Sequence, residues 1–176
     1  MGTVRMGEIE VSAESGEELV ARGLGSCIGL ALIDRSSGVA GMAHIVLPEA
    51  SGTSAYEPGK FADMAVPELI SRMKLAGAVG RLDAVLAGGA QMFELGEMDI
   101  GARNREAVEA GLARRGVTIR AADTGGNRGR TMRLTVGEFK VRVKEAGGVT
   151  TTLFDFEEPT PRSPRFKTNL KEASAR

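Results

Sequence analysis

The chain has 176 residues, 42% of them apolar, enough for one sizeable core and too few for two full domains. Its 23 Lys plus Arg balance 23 Asp plus Glu, and this zero net charge, with a pI near 6.6, argues against a basic nucleic-acid or membrane-surface footprint. One Cys and one His exclude an intramolecular disulfide and a structural zinc site of Cys and His ligands drawn from a single chain.

The opening residues hold no apolar core of signal-peptide length, and no 18-residue apolar run follows, so a cytoplasmic protein without membrane insertion is expected. Hydrophobic periodicity then predicts a short strand over 6–11 and two strands over 27–33 and 39–47. The polar link Asp34-Arg35-Ser36-Ser37-Gly38 joins the latter two as a hairpin. After Pro48 comes a loop rich in Gly, Ser and Pro. A helix is predicted over 60–75, where Ala62, Val66, Leu69, Ile70 and Met73 recur on one face. Pro67 lies inside it and predicts a kink or a restart.

A strand over 84–87 leads into Gly88-Gly89-Ala90, which has neither dinucleotide-loop nor P-loop spacing and reads as a tight turn. A second helix is predicted over 104–115 and a strand over 117–121. Met132, Leu134 and Val136, then Phe139, Val141 and Val143, alternate with polar residues across a two-residue turn at Gly137-Glu138. A last strand is expected over 149–154. Residues 1–156 form the domain, and 157–176, polar and carrying Pro159, Pro161 and Pro164, form a flexible tail.

Two residues stand out chemically. Cys27 follows Gly23-Leu24-Gly25-Ser26, and glycines before a nucleophile leave room for a tetrahedral intermediate and its backbone oxyanion donors. The alternative is a small buried hydrophobe at a strand start. His44 lies 17 residues on, and the hairpin would make it a neighbour of Cys27 across the ladder. An adjacent imidazole can take a thiol proton; the alternative is a buried histidine satisfied by a carbonyl. Asp123-Thr124-Gly125-Gly126-Asn127 has ordinary turn composition and is assigned no chemistry. Arg128, Arg130 and Arg133 read as including solvated strand positions.

The segments GLGSCIGLALID, GVAGMAHIVLP, KFADMAVPELI, GGAQMF, IGARN and GGNRGRTMRL, in that order, resemble the CheD family of chemoreceptor glutamine deamidases over roughly Val4 to Asp155. The resemblance implies an α+β fold, a layered α/β/β sandwich with mixed, largely antiparallel sheets, similar to the catalytic domains of cytotoxic necrotizing factors. It implies hydrolysis of receptor glutamine side chains to glutamate by a Cys-His mechanism falling on Cys27 and His44, with Gly23, Gly25 and Ser26 shaping the turn or oxyanion region. No cofactor or metal is implied. A receptor methylesterase side activity is, and so are two partners: chemoreceptor cytoplasmic domains and the phosphatase CheC. An adaptor with little catalysis is the alternative. Six residues before the cysteine, where the family usually carries a threonine completing the triad, this chain has Ala21. The third role there is empty, or passes to a backbone carbonyl, a water or another residue such as Ser26.

Overall fold

The structure, a computed structural model, describes residues 1–52, 57–92, 99–156 and, for the main chain, 165–166. Its strands are β1 (Gly2–Thr3), β2 (Ile9–Ser12), β3 (Glu18–Leu24), β4 (Ile28–Asp34), β5 (Val39–Ile45), β6 (Asp83–Gly88), β7 (Thr118–Thr124), β8 (Arg130–Thr135), β9 (Lys140–Glu145), β10 (Thr150–Phe154) and β11 (Arg165–Phe166). Two helices, α1 (Ala62–Leu75) and α2 (Ile100–Ala113), accompany them, with a single 3₁₀ turn at Pro58–Lys60.

The strands form two sheets, one ordered β1-β3-β8-β9-β10 and the other β11-β7-β6-β4-β5-β2. Antiparallel pairing dominates; the parallel pairs are β1 with β3, β6 with β7 and β11 with β7. Strand alternation explains the layering. On β4, Leu30 and Leu32 pack with Val66, Leu69 and Met73 of α1 and Val108 and Leu112 of α2. The intervening Ala31 and Ile33 pack with Leu19, Met132, Leu134 and Val141 of the five-stranded sheet. The central strands are thus covered on both faces, and every residue of β4, β5 and β6 is buried. The architecture is an α+β sandwich of helices, six-stranded sheet and five-stranded sheet.

The first hairpin forms as expected, and its ladder runs from Asp34 opposite Val39 to Ile28 opposite Ile45. Its tight end is stabilised by Asp34, whose carboxylate accepts from the Ser36 hydroxyl and from main-chain amides of Ser36, Val79 and Gly80. Burial works against ionisation of Asp34, but the hydrogen bonds from Ser36, Gly80, Ser37 and Val79 outweigh it and hold the carboxyl well below the usual range.

Several local expectations are corrected. Periodicity singles out no strand over 18–24, yet Glu18–Leu24 is the central partner of β1 and β8. The turn between β8 and β9 spans four residues, since Thr135 faces Lys140. Val136 leaves that ladder to bond the main chain of Gly16 and Glu17, and Phe139, at φ 52°, turns its ring into the core. α2 begins at Ile100 rather than 104, because Asp99 accepts a hydrogen bond from the Ala102 amide as N-cap. α1 does not restart at Pro67 but runs through it; Asp63, whose carbonyl loses its helical donor there, is exposed. Of the expected tail, the main chain of Arg165–Phe166 pairs with Ala121–Ala122, while 157–164 and 167–176 lie outside the described residues.

Candidate active site

Cys27 directly precedes β4 and His44 is the penultimate residue of β5. The register sets His44 opposite Gly29, so Cys27, two residues earlier, is its diagonal neighbour across the ladder. Diagonal positions in an antiparallel pair lie about 7–8 Å apart, within reach of an imidazole-sized side chain. Both residues share a face: Cys27 packs in the inter-sheet core with Ala31 and Ile33, and β5 contributes Ala40 and Met42 to the same core, two and four residues from His44. Gly29 lies on that face between them, where the Leu24 and Met132 side chains close over it. A Cβ there would stand 2.9 Å from Leu24 Cδ1 and 3.0 Å from Met132 Sδ.

His44 is 1% exposed. Its Nδ1 lies 3.1 Å from the Val4 carbonyl oxygen, an acceptor, which assigns the ring proton to Nδ1. Nε2 is buried and has no hydrogen-bond partner among the described residues. The imidazole is therefore held by one edge and offers an unprotonated nitrogen from the other. Burial lowers its pKa below the ordinary histidine value, while the Val4 carbonyl and the charge of Glu8 work in the opposite direction. Burial pushes the Cys27 thiol up, only partly offset by its own main-chain N–H beside the sulfur. Both shifts favour a neutral thiol beside a neutral imidazole at rest.

The residues around Cys27 are built from glycine turns. Gly23 has φ 68°, and Gly25, two residues on, donates its N–H back to the Gly23 carbonyl at 2.9 Å. Gly25 and Ser26 are partly exposed, and Met92 rests against Gly25, where a Cβ would come within 3.0 Å of Met92 Cγ. Among the described residues, the main-chain amides of Ser26 and Cys27 donate to no main-chain carbonyl. They remain available to a negatively charged oxygen. Ala21 is fully buried on β3, opposite Met132, and adds only a methyl group to the inter-sheet core.

Three features were not assigned chemistry from the sequence. The Gly88-Gly89-Ala90 turn braces the cysteine: Gly89 N–H donates to the Cys27 carbonyl and Ala90 N–H to the Gly25 carbonyl, both at 2.8 Å. Gly88, at φ 108°, has the Cys27 carbonyl so close that no Cβ fits. Asn104 is the second. It is fully buried on α2 between Gly101 and Val108, and its Nδ2 donates to the carbonyls of Ser26 (2.9 Å) and Val46 (2.8 Å). A polar residue within an otherwise apolar helical stripe was the available signal, hidden while the helix was taken to begin at 104. Third, Arg130 is not a solvated strand position. Its side chain is 1% exposed and binds Asp123 at 3.0 Å and the Gly125 carbonyl at 2.8 Å, ordering the Asp123–Asn127 turn. That turn supports the site from behind, through Gly125 N–H to the Gly88 carbonyl and Gln91 N–H to the Gly126 carbonyl.

Among the described residues no group of three or more His, Cys, Asp or Glu is arranged to hold a metal, and no helix is long and apolar enough to cross a membrane. The arrangement suits attack by a thiol on a carbonyl carbon, with proton transfer to a neighbouring imidazole and backbone donors for the oxyanion.

Known proteins carry the same sequence pattern. A family model described as CheD chemotactic sensory transduction matches residues 46–145, beginning two residues after His44. A protein of Thermotoga maritima named chemoreceptor glutamine deamidase CheD is 44% identical over 146 residues, covering 82% of this chain and 92% of the relative. Relatives named probable chemoreceptor glutamine deamidase CheD include one from Clostridium novyi, 44% identical over 74% of this chain and 85% of its own. Another, from Methanococcus maripaludis, is 41% identical over 80% of this chain and 92% of its own. With more than half of its length matched by the family model and relatives above 40% identity along most of it, this chain belongs to the CheD family.

Proposed function

We propose that this protein hydrolyses glutamine side chains of chemoreceptors to glutamate, with Cys27 as nucleophile and His44 as general base and acid. The relatives' names carry the substrate class. One observation carries the chemistry: His44 is pinned through Nδ1 to the Val4 carbonyl, leaving Nε2 unpartnered on the sheet face it shares with Cys27.

His44 Nε2 accepts the Cys27 proton as sulfur attacks the amide carbon. The carbonyl π bond opens, and the oxyanion is met by the amides of Ser26 and Cys27, which donate to no main-chain carbonyl among the described residues; the Cys27 amide turns from its own sulfur to the oxyanion as the S–C bond forms. The imidazolium returns its proton to the amide nitrogen as the C–N bond breaks, so ammonia leaves and a thioester remains. Water, deprotonated by His44, then attacks the thioester, and the regenerated thiol leaves glutamate. The third role, orienting the imidazole, falls in this reading to the Val4 carbonyl instead of a side chain at Ala21. A receptor glutamate methyl ester presents the same carbonyl, so ester hydrolysis belongs to the same proposal, as does CheC as a partner bound over this site.

The test is mass spectrometry of a receptor cytoplasmic fragment from the same organism after incubation with the parent or the Cys27→Ala variant. A site-specific Gln-to-Glu conversion by the parent alone is expected. No conversion, with folded protein that still binds receptor, would overturn the enzyme reading in favour of an adaptor.

A further inference from the structure

The ladder between β4 and β5 ends at Ile28 and Ile45. Beyond that pair the two main chains take other partners: Val46 and Leu47 direct their amides to the Lys60 carbonyl, and the Cys27 carbonyl takes its donor from Gly89. No β4–β5 ladder pair therefore sets the separation of the segment entering at Ser26-Cys27 and the segment leaving at Val46. Asn104 occupies this opening. Its carboxamide nitrogen has two hydrogens, and one goes to each chain, to the Ser26 and Val46 carbonyls.

We infer that Asn104 is a positioning residue for the Cys27–His44 pair, its carboxamide bridging the Ser26 and Val46 carbonyls to set both the nucleophile's peptide and its distance from the histidine strand. The inference rests on the proposed function for its substrate, but its geometry is independent of it. A peptide unit is planar, so holding the Ser26 oxygen aims the N–H of the same unit, that of Cys27, in the opposite direction. Asn104 thereby orients one of the two amides offered to the oxyanion. Through Val46 it also holds the chain two residues beyond His44. The remaining carboxamide atom makes the arrangement informative. Asn104 Oδ1 is buried without a partner, whereas an apolar side chain of similar size would leave no such orphan. The residue keeps an unsatisfied acceptor while both its donors serve the site. The anchor is rigid, since Asn104 lies one turn into α2, whose N-terminus packs on Gly89 and Ala90, the same residues that bond Cys27 and Gly25.

Asn104→Leu keeps the branched shape, at a larger volume, and completes the apolar stripe but removes both donors. The measurements are kcat and KM on a receptor cytoplasmic fragment, the rate of Cys27 alkylation by iodoacetamide, and Tm. A displaced nucleophile predicts kcat lower by about 10- to 100-fold, KM within about twofold, and several-fold slower alkylation at temperatures where the variant is fully folded. Asn104→Ser, with one donor, should fall between parent and Asn104→Leu, and it carries the test if the leucine variant does not fold. The inference is overturned if kcat and alkylation in the folded variants stay within about twofold of the parent, or if their loss only follows the unfolded fraction. A parent that turns over no receptor would instead refute the deamidase reading, and the alkylation rates alone would then decide the role of Asn104.

Discussion

Replacing Gly101 by alanine tests whether α2 and the cysteine form one rigid unit. Gly101 is the second residue of α2, and a Cβ there would stand 2.5 Å from the Gly89 carbonyl oxygen and 2.6 Å from that of Ala90. Both are backbone atoms that no rotamer change can move. Reaching even a crowded 3.0 Å requires the helix N-terminus or the turn to retreat by at least about 0.5 Å. The retreat carries the amides of Gly89 and Ala90, and with them the carbonyls of Cys27 and Gly25. A 1 Å misplacement of reacting groups costs about 100-fold in rate, so half of that predicts a kcat lower by about tenfold. Stability should fall by about 0–3 kcal/mol. Alanine favours the helix by up to about 1 kcal/mol, against about 1–3 kcal/mol for overpacking. Receptor deamidation followed by mass spectrometry, beside thermal unfolding, reads both quantities. Gly111→Ala is the control, because its Cβ meets only the Val66 side chain, at 3.3 Å, and it should leave kcat unchanged. A Gly101→Ala enzyme within twofold of the parent would refute mechanical coupling of this helix end to Cys27.

Burial lowers the His44 pKa, and the base must be neutral to act, so the acidic limb of the pH–rate profile should fall below the ordinary histidine value of about 6.5; a limb above it would contradict the assignment. Asp34→Ala removes the acceptor of several short hydrogen bonds at the hairpin's tight end and should destabilise by about 2–4 kcal/mol in denaturant titrations, with kcat retained. The folded-state pKa of Asp34 lies below its unfolded value of about 3.9, so its stabilising contribution is complete above that pH and is lost as pH falls further; parent and variant stabilities should converge only in strong acid. Arg130→Met leaves Asp123 without its buried partner and should cost about 3–5 kcal/mol in unfolding experiments; an unchanged Tm would show that the pair adds nothing.

What the sequence determined by itself was local and periodic. Two apolar runs, over 27–33 and 39–47, joined by a polar link, sufficed for the hairpin, and its register makes Cys27 and His44 diagonal neighbours on one face. The apolar stripe of α1 was legible for the same reason, as a repeating pattern that must face a core. Tertiary structure decided whatever depends on partners distant in the chain. β3 is only partly apolar, and it becomes a strand by pairing with β1 and β8. The four-residue turn before β9 follows from bonds between Val136 and Gly16 and Glu17, more than a hundred residues away, which no local turn rule contains. The site divides the same way. The proposed nucleophile and base are the chain's lone Cys and His and could be singled out by type and spacing. The groups that hold them act across separations of 40 residues from Val4 to His44, and of 78 and 58 from Asn104 to Ser26 and Val46. The support at Val4 is a main-chain carbonyl, and the acceptors that Asn104 bridges are main-chain carbonyls too; such groups carry no side-chain signature, so only folding could reveal these bonds.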